Sequence, residues 1–131
     1  MVGRTIIAYV HTVAARSPAQ IERMFRAFAD RTRLRVLHLL QDGEMCVSDI
    51  VTILKLPQAR VSRHLGYLHR AGLVEVRKQG LWCFYRLRQP ESPFHRRLIG
   101  CLGCCFEGVP GLATDRRQAS KLKKSGGCCP R

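Results

Sequence analysis

The sequence predicts an α+β fold, mainly α, in which a winged helix-turn-helix with a two-stranded β-wing is joined to terminal dimerisation helices. Apolar residues recur at helical spacing through residues 18–70, and a period-two hairpin pattern follows at residues 73–87. The 131 residues, of which 46% are hydrophobic, suit one domain with a tail. We therefore expect an N-terminal segment 1–17, a folded winged helix-turn-helix domain 18–107, and a flexible, basic, cysteine-containing tail 108–131.

The predicted helices begin at capping or proline residues. Ser17 followed by Pro18 is typical of a helix start, and Asp30 is suited to cap the next helix. Pro57 begins a helix that closes at Ala71-Gly72. The predicted helices run from residue 18, over 31–41, 46–54 and 57–70, and finally over 93–107.

A change of period marks the wing. Residues 73–78 and 81–87 are rich in β-branched and aromatic side chains, and Gln79-Gly80 between them predicts a tight turn. Cys83 shares a face with Leu81 and Tyr85, which favours packing over metal ligation.

The positive charge is concentrated in two segments of the chain. Lys and Arg number 23 against 9 Asp and Glu, a net charge of +14, which points to a polyanionic partner. Residues 55–88 alone carry eight basic residues and one acidic residue, and residues 110–131 carry six and one. Double-stranded DNA is the first candidate partner and an anionic membrane surface the second.

The third and fourth helices, joined by a short turn, form a helix-turn-helix. In the fourth helix Val61, Leu65 and Leu68 make one inward stripe, so small, basic and hydrogen-bonding residues point outward. Arg suits guanine and Gln suits adenine in the major groove, while basic residues at a hairpin tip suit phosphate or the minor groove. The candidate DNA contacts are Gln58, Arg60, Ser62, Arg63, His64 and Tyr67 on this helix and Arg77, Lys78 and Gln79 on the wing.

Several segments in order carry a family resemblance. They are residues 28–40 (FADRTRLRVLHLL), 43–50 (GEMCVSDI), 58–65 (QARVSRHL), 71–74 (AGLV) and the wing 80–87. The set resembles the arsenical-resistance (ArsR/SmtB) family of winged-helix repressors over about half the chain. Two departures are minor: Arg31 stands where a Pro is usual, and Pro57 where a Ser is usual.

The resemblance implies how such a protein would work. It implies a cytoplasmic homodimer whose first and last helices pair, bound to an inverted-repeat operator and released by an inducer. It also implies that Gln58, Ser62 and His64 carry the recognition-helix pattern. The family's arsenic motif, Cys-Val-Cys, reads Cys46-Val47-Ser48 here, and Ser is a poor ligand for a soft ion.

Seven cysteines, an odd number, favour reduced ligand thiols over a disulfide scaffold. Cys101, Cys104 and Cys105 follow helical spacing that places them on one face, so they are the candidate ligands of As(III) or Sb(III), ahead of Cd or Pb. Cys46 and the pair Cys128-Cys129 are weaker candidates. His95 and Glu107 are too few for the family's zinc site.

Packing is the alternative for these thiols. Phe94, Leu98, Cys101, Leu102 and Cys105 form one helical stripe that suits a dimer interface, where Cys packs as a small apolar residue. Gly100 and Gly103 weaken the same helix and would let it rearrange around an ion.

Other functions fit less well. A thiol-oxidation sensor would keep the fold and change the signal. An enzyme is not expected, because the spacing Cys101-x-x-Cys104 falls late in a helix and not at a helix start after a strand. No organic cofactor is expected. The sequence lacks the run of about 18 apolar residues that a membrane-spanning helix needs, so no such helix is expected. Residues 5–15 suit a dimerisation segment better than a signal peptide.

Overall fold

The computed structural model describes residues 17–127. Within that range the chain forms six α-helices, one 3-10 turn and three strands, which confirms the mainly helical winged helix-turn-helix. In chain order they are α1 (Pro18–Phe28), α2 (Arg31–Leu39), the 3-10 turn (Leu40–Asp42), β1 (Met45–Cys46), α3 (Val47–Leu54), α4 (Gln58–Arg70), β2 (Val74–Gln79), β3 (Trp82–Leu87), α5 (Pro93–Cys104) and α6 (Pro110–Lys124). None of the described helices is both long and apolar enough to cross a membrane.

Side-chain caps fix three of the helix starts. Ser17 accepts a hydrogen bond from the Gln20 backbone N–H, and Asp30 accepts one from Arg33 at 3.0 Å. Ser92 does the same for His95 at the start of α5. Each bond satisfies a backbone donor that the first helical turn leaves without a partner, so the expected starts at Pro18 and Arg31 are confirmed.

The core lies where α2, α3 and α4 meet. Its fully buried side chains include Val36 and Leu37 of α2 and Ile50 of α3. The predicted inward stripe of α4 is confirmed, since Val61, Leu65 and Leu68 are all 0% exposed. This burial fixes the rotation of α4, and with it the face that the helix turns outward.

The sheet has one strand more than the sequence predicted. β2 and β3 pair antiparallel from Val74–Leu87 to Gln79–Trp82, as expected for the wing. The short strand β1 adds to the other edge of β3, giving the order β1-β3-β2. Cys46, predicted as a helix residue, therefore pairs with Phe84 and precedes α3. A strand of two residues, such as β1, is too short to show an alternating pattern in the sequence.

The flexible tail predicted for residues 108–131 is wrong for most of its length. Residues 110–124 form α6, which packs on the core through Leu112, Ala119 and Leu122. These apolar positions are separated by seven and three residues and lie on one helical face. Gly108, Pro110 and the lysines at 121, 123 and 124 are typical of a loop or tail, so the apolar stripe between them was not recognised as a helix face. Cys128 and Cys129 of the predicted tail, like residues 1–16, lie outside the described residues.

Two ion pairs of different burial hold α6 against the domain. The Arg35 guanidinium of α2 donates two hydrogen bonds to the Asp115 carboxylate, at 2.8 and 2.9 Å, and Asp115 is only 3% exposed. Arg116 donates two to Asp42 at 3.0 and 2.8 Å on the open surface. The first pair is bidentate and shielded from solvent, so it fixes the position of α6 on α2.

His38 makes the stability of this packing depend on pH. It is buried beneath α6, and burial, followed by the nearby Arg116 charge, lowers its pKa from 6.5. Below pH 6.5 the unfolded chain therefore binds more protons than the folded chain, so stability is lost as pH falls. We expect the urea midpoint to fall between pH 7 and about pH 5, and to fall less in His38→Gln. An equal fall in both proteins would contradict this assignment.

Candidate DNA interface and thiol site

The helix-turn-helix is set by a sharp connection between α3 and α4. Lys55 ends α3 in the left-handed region, at φ 56°, and its N–H donates to the Val51 carbonyl. Leu56 is half-buried against the core, and Pro57 precedes the first residue of α4. The buried α3 thus positions α4, whose N-terminal turn projects from the domain.

The outward face of α4 is open and cationic. Gln58, Arg60, Ser62 and Arg63 are all exposed. Within residues 17–127 neither arginine has an ion-pair partner, whereas Arg35, Arg77 and Arg116 are each paired with a carboxylate. Gly66 on the same face makes room for the Arg70 guanidinium, which lies 3.3 Å from the position that a Cβ would take. Exposed guanidinium groups beside small residues are what the major groove of DNA accepts.

Two predicted contacts lie on the flank of α4. His64 is half-buried, with Nδ1 4.0 Å from the Asp30 carboxylate, and burial lowers its pKa despite that carboxylate. Tyr67 is half-buried, with the Arg33 guanidinium 4.1 Å from the centre of its ring. Both side chains therefore join α4 to the start of α2, a role that the outward-face argument did not predict.

One predicted DNA contact on the wing, Arg77, is held by protein partners. Arg77 donates to both Glu44 oxygens, at 3.1 and 2.6 Å, and its guanidinium lies 4.4 Å from the Phe84 ring centre. It also donates to the Gln79 side chain at 2.8 Å. Lys78 is exposed and has no ion pair among the described residues. Arg77 therefore braces the hairpin, leaving Lys78 as its available cation.

Two thiols meet at the end of α5. The sulfur atoms of Cys104 and Cys105 lie 3.6 Å apart on the surface, and Cys104 also contacts the Gly100 carbonyl at 3.4 Å. The hydrogen bond to Cys105, and then the charge of Cys105, raise the pKa of the Cys104 thiol. The two sulfurs therefore lie close enough to bind a single ion together.

The predicted convergence of three thiols is wrong. Within residues 17–127 no three His, Cys, Asp or Glu side chains form a group that could hold a metal ion. α5 ends at Cys104, three residues before the predicted end, and Cys105 caps it. Cys104 turns toward Gly100 and Cys105, and the half-buried Cys101 remains outside the pair. Cys105, expected on an interface stripe with Leu102, is exposed, whereas Leu102 is 1% exposed in the core.

The other cysteines occupy different environments. Cys46 is fully buried, accepts a hydrogen bond from the Asp49 N–H at 3.4 Å, and is disulfide-bonded in this structure. That bond is at odds with the expectation of reduced thiols throughout. Cys83 is a free, half-buried thiol on β3. Cys128 and Cys129 lie outside the described residues.

Comparison with known proteins places these elements in a family. Residues 30–76 match the family described as bacterial regulatory protein, arsR family. The chain is also 33% identical to the cadmium resistance transcriptional regulatory protein CadC homolog of Staphylococcus aureus, over 70% of this chain and 82% of that protein. The chain belongs to the ArsR family. It is therefore a winged-helix transcriptional regulator that binds DNA, and not an enzyme.

Two further relatives bear on the ArsR-family function. The arsenical resistance operon repressor of Escherichia coli is 47% identical over 54% of this chain and 61% of its own length. The homodimeric winged helix-turn-helix DNA-binding domain of Mb0332 from Mycobacterium bovis has 31% identity and a TM-score of 0.57, covering 66% of this chain and 78% of that one. This chain thus spans about three fifths of the arsenical repressor.

The ArsR-family match and the thiol pair fall on different parts of the chain. The matched residues 30–76 include α3 and α4, whereas Cys104 and Cys105 follow them by about thirty residues.

The sequence did not predict that Glu44 holds Arg77 of the wing in place. The sequence shows only that an acidic residue precedes β1. That position predicts a contact with the wing only once β1 is known to pair with β3.

Proposed function

We propose that this ArsR-family chain is a homodimeric repressor that binds an inverted-repeat operator and releases it when trivalent arsenic binds cysteine thiolates. The observation that carries the proposal is the exposed face of α4, with Arg60 and Arg63 unpaired in a helix-turn-helix. The close pair Cys104–Cys105 supports the inducer. The setting would be the cytoplasm, where thiols stay reduced.

In this function α4 reads the operator. Arg63 suits bidentate contact with guanine O6 and N7, and Gln58 suits adenine. Arg60, Ser62 and the N-terminal N–H groups of α4 suit phosphate. His64 and Tyr67 would set the position of α4 and, from its flank, contact the DNA backbone. On the wing, Lys78 would contact phosphate, with Gln79 beside it and Arg77 as the brace.

A dimer would bring two copies of α4 to the operator. Phe25 of α1 is 54% exposed and meets Phe94 of α5 edge to face, with ring centres 5.3 Å apart. An exposed Phe25 that packs on the half-buried Phe94, between the first and fifth described helices, suits an interface. The related Mycobacterium bovis domain is homodimeric. The distance between the two copies of α4 would then have to match one turn of DNA.

Arsenite would bind the pair by exchanging hydroxide for thiolate. As(OH)₃ reacts with the Cys104 and Cys105 thiols, two As–S bonds form, and two water molecules leave with the thiol protons. Closing a ring over adjacent sulfurs requires little movement, because they already lie 3.6 Å apart. The bound ion would lie just before the connection from α5 to α6, so it would change the packing of both helices.

Cys46 and the two cysteines that follow α6 in the sequence make a secondary candidate set. The last turn of α6 and the start of α3 line a cavity of about 250 Å³ that includes Leu122, Met45 and Asp49. In the sequence, Cys46 lies between Met45 and Asp49, and the chain continues after Gly127 into Cys128 and Cys129. After reduction of its disulfide, Cys46 would be a candidate ligand with these two, and Ser variants would test it.

Another inducer would use the same pair. The relative in Staphylococcus aureus is a cadmium resistance regulator, so cadmium or lead is the first alternative. Thiol oxidation is the second: a peroxide would convert the two thiols to a disulfide, forming two molecules of water in the process. Sulfurs 3.6 Å apart fit either reaction. DNA release by cadmium or peroxide, but not by arsenite, would favour these readings.

The proposed function is tested by fluorescence anisotropy on duplex DNA from upstream of the chain's own reading frame. We expect a complex with the reduced protein that dissociates at near-stoichiometric arsenite. Arg63→Ala should weaken the complex by about 1–3 kcal/mol, because a base contact is lost. Arg117→Ala removes an equal charge from α6 and should have little effect. Failure of the wild-type protein to bind at low salt would refute the proposal.

A further inference from the structure

The wing ends in an apolar side chain with no protein neighbour. Leu81 is 100% exposed, more than any other large hydrophobic residue described. It lies in the two-residue turn that joins the last paired residues of the hairpin, Gln79 and Trp82. Gly80 at φ +61° makes this tight turn, which is why a glycine is needed there. The tip of the wing is therefore a single projecting leucine.

The hairpin is too rigid for Leu81 to fold back onto the core. Six residue pairs join β2 to β3, and β1 supports β3 from the other side. Arg77 ties the hairpin to Glu44 through two hydrogen bonds and covers the Phe84 ring. Exposure of Leu81 is thus a consequence of how the wing is built.

Leucine is an unusual residue for this position. Tight turns favour Gly, Asn, Asp and Ser, whose backbone preferences or short polar side chains suit them. The surroundings of Leu81 are cationic, because the unpaired Lys78 lies close by and residues 55–88 carry a local charge of +7. An apolar tip on a cationic hairpin fits a nucleic acid, whose phosphates attract the lysine while the groove floor accepts the leucine.

We propose that Leu81 is an apolar wedge that enters the minor groove, partly unstacks one base step beside each half-site, and bends the DNA. The inference rests on the proposed DNA-binding function and adds the part of the interface that acts through DNA shape. Flexible pyrimidine–purine steps cost least to unstack. The wing would thereby favour operators with such a step at a fixed distance from the bases that α4 reads.

Affinity measurements separate the wedge from ordinary charge contacts. Leu81→Ala should bind upstream DNA about tenfold more weakly, because one leucine side chain is no longer buried. Its salt dependence should match that of the wild type. Lys78→Ala should instead lower the salt slope by about 1. Leu81→Met keeps the apolar volume and should restore affinity. Val109→Ala is the matched control, because it removes another exposed apolar side chain, in the connection from α5 to α6.

A stacking probe tests the wedge directly. 2-Aminopurine placed in turn at each step flanking the half-sites should brighten at one step with wild type and Lys78→Ala, but not with Leu81→Ala. Equal affinity and equal brightening for Leu81→Ala and wild type would overturn the wedge. So would a wild-type complex that brightens no step. If the wild type binds no DNA at low salt, the proposed function itself fails, and the wedge fails with it.

Discussion

The Cys104→Ser/Cys105→Ser variant is expected to bind operator DNA as tightly as the wild type and to keep it when arsenite is added. Serine replaces each thiol with a group of similar size that does not hold a soft ion. Both side chains are exposed at the end of α5, away from α4, so neither folding nor DNA contact depends on them. In the wild type, coupling of about 1–3 kcal/mol would lower operator affinity 5- to 150-fold.

An anisotropy titration with arsenite measures this difference. Cys83→Ser is the matched control, because it removes a free thiol of the described chain that lies on β3. It should respond to arsenite as the wild type does. Release of DNA from the double variant at the wild-type arsenite concentration would show that the inducer binds elsewhere. Loss of DNA binding without arsenite would show that the two cysteines serve packing.

The helix-turn-helix was predictable because its signals are local. Caps, prolines and the α4 stripe each depend on residues within one or two turns of each other, and Asp30 and Val61 behave as expected. The face of α4 then follows from helical geometry. This is why four of the predicted DNA contacts, from Gln58 to Arg63, are open side chains on one face of the molecule.

The features that the sequence did not predict arise where distant segments meet. The role of Arg77 depends on Glu44, which lies 33 residues earlier and reaches it only because β1 joins β3. The position of α6 depends on Asp115, which meets Arg35 across 80 residues. The thiol set failed for a smaller reason. Helical spacing places the Cys101 and Cys104 side chains on nearby positions, but the direction of each sulfur depends on which partner it contacts.

Arg35→Met is expected to destabilise the folded chain by about 2–4 kcal/mol. The substitution leaves the Asp115 carboxylate, 3% exposed, without the guanidinium that pairs with it. Burying an unpaired charge is costly, and the partial exposure of Arg35 places the loss below that of a fully buried pair. Because a domain is stable by only about 5–15 kcal/mol, urea unfolding should show a clearly lower midpoint.

Two further variants show whether burial is the cause. Arg116→Met breaks an ion pair of similar geometry with Asp42, but both side chains are about half exposed. Its cost should stay below about 1 kcal/mol, because water solvates the carboxylate that remains. Adding Asp115→Leu to Arg35→Met should recover much of the loss, since no buried charge is left. Equal losses from Arg35→Met and Arg116→Met would show that burial of Asp115 is not the cause of the loss.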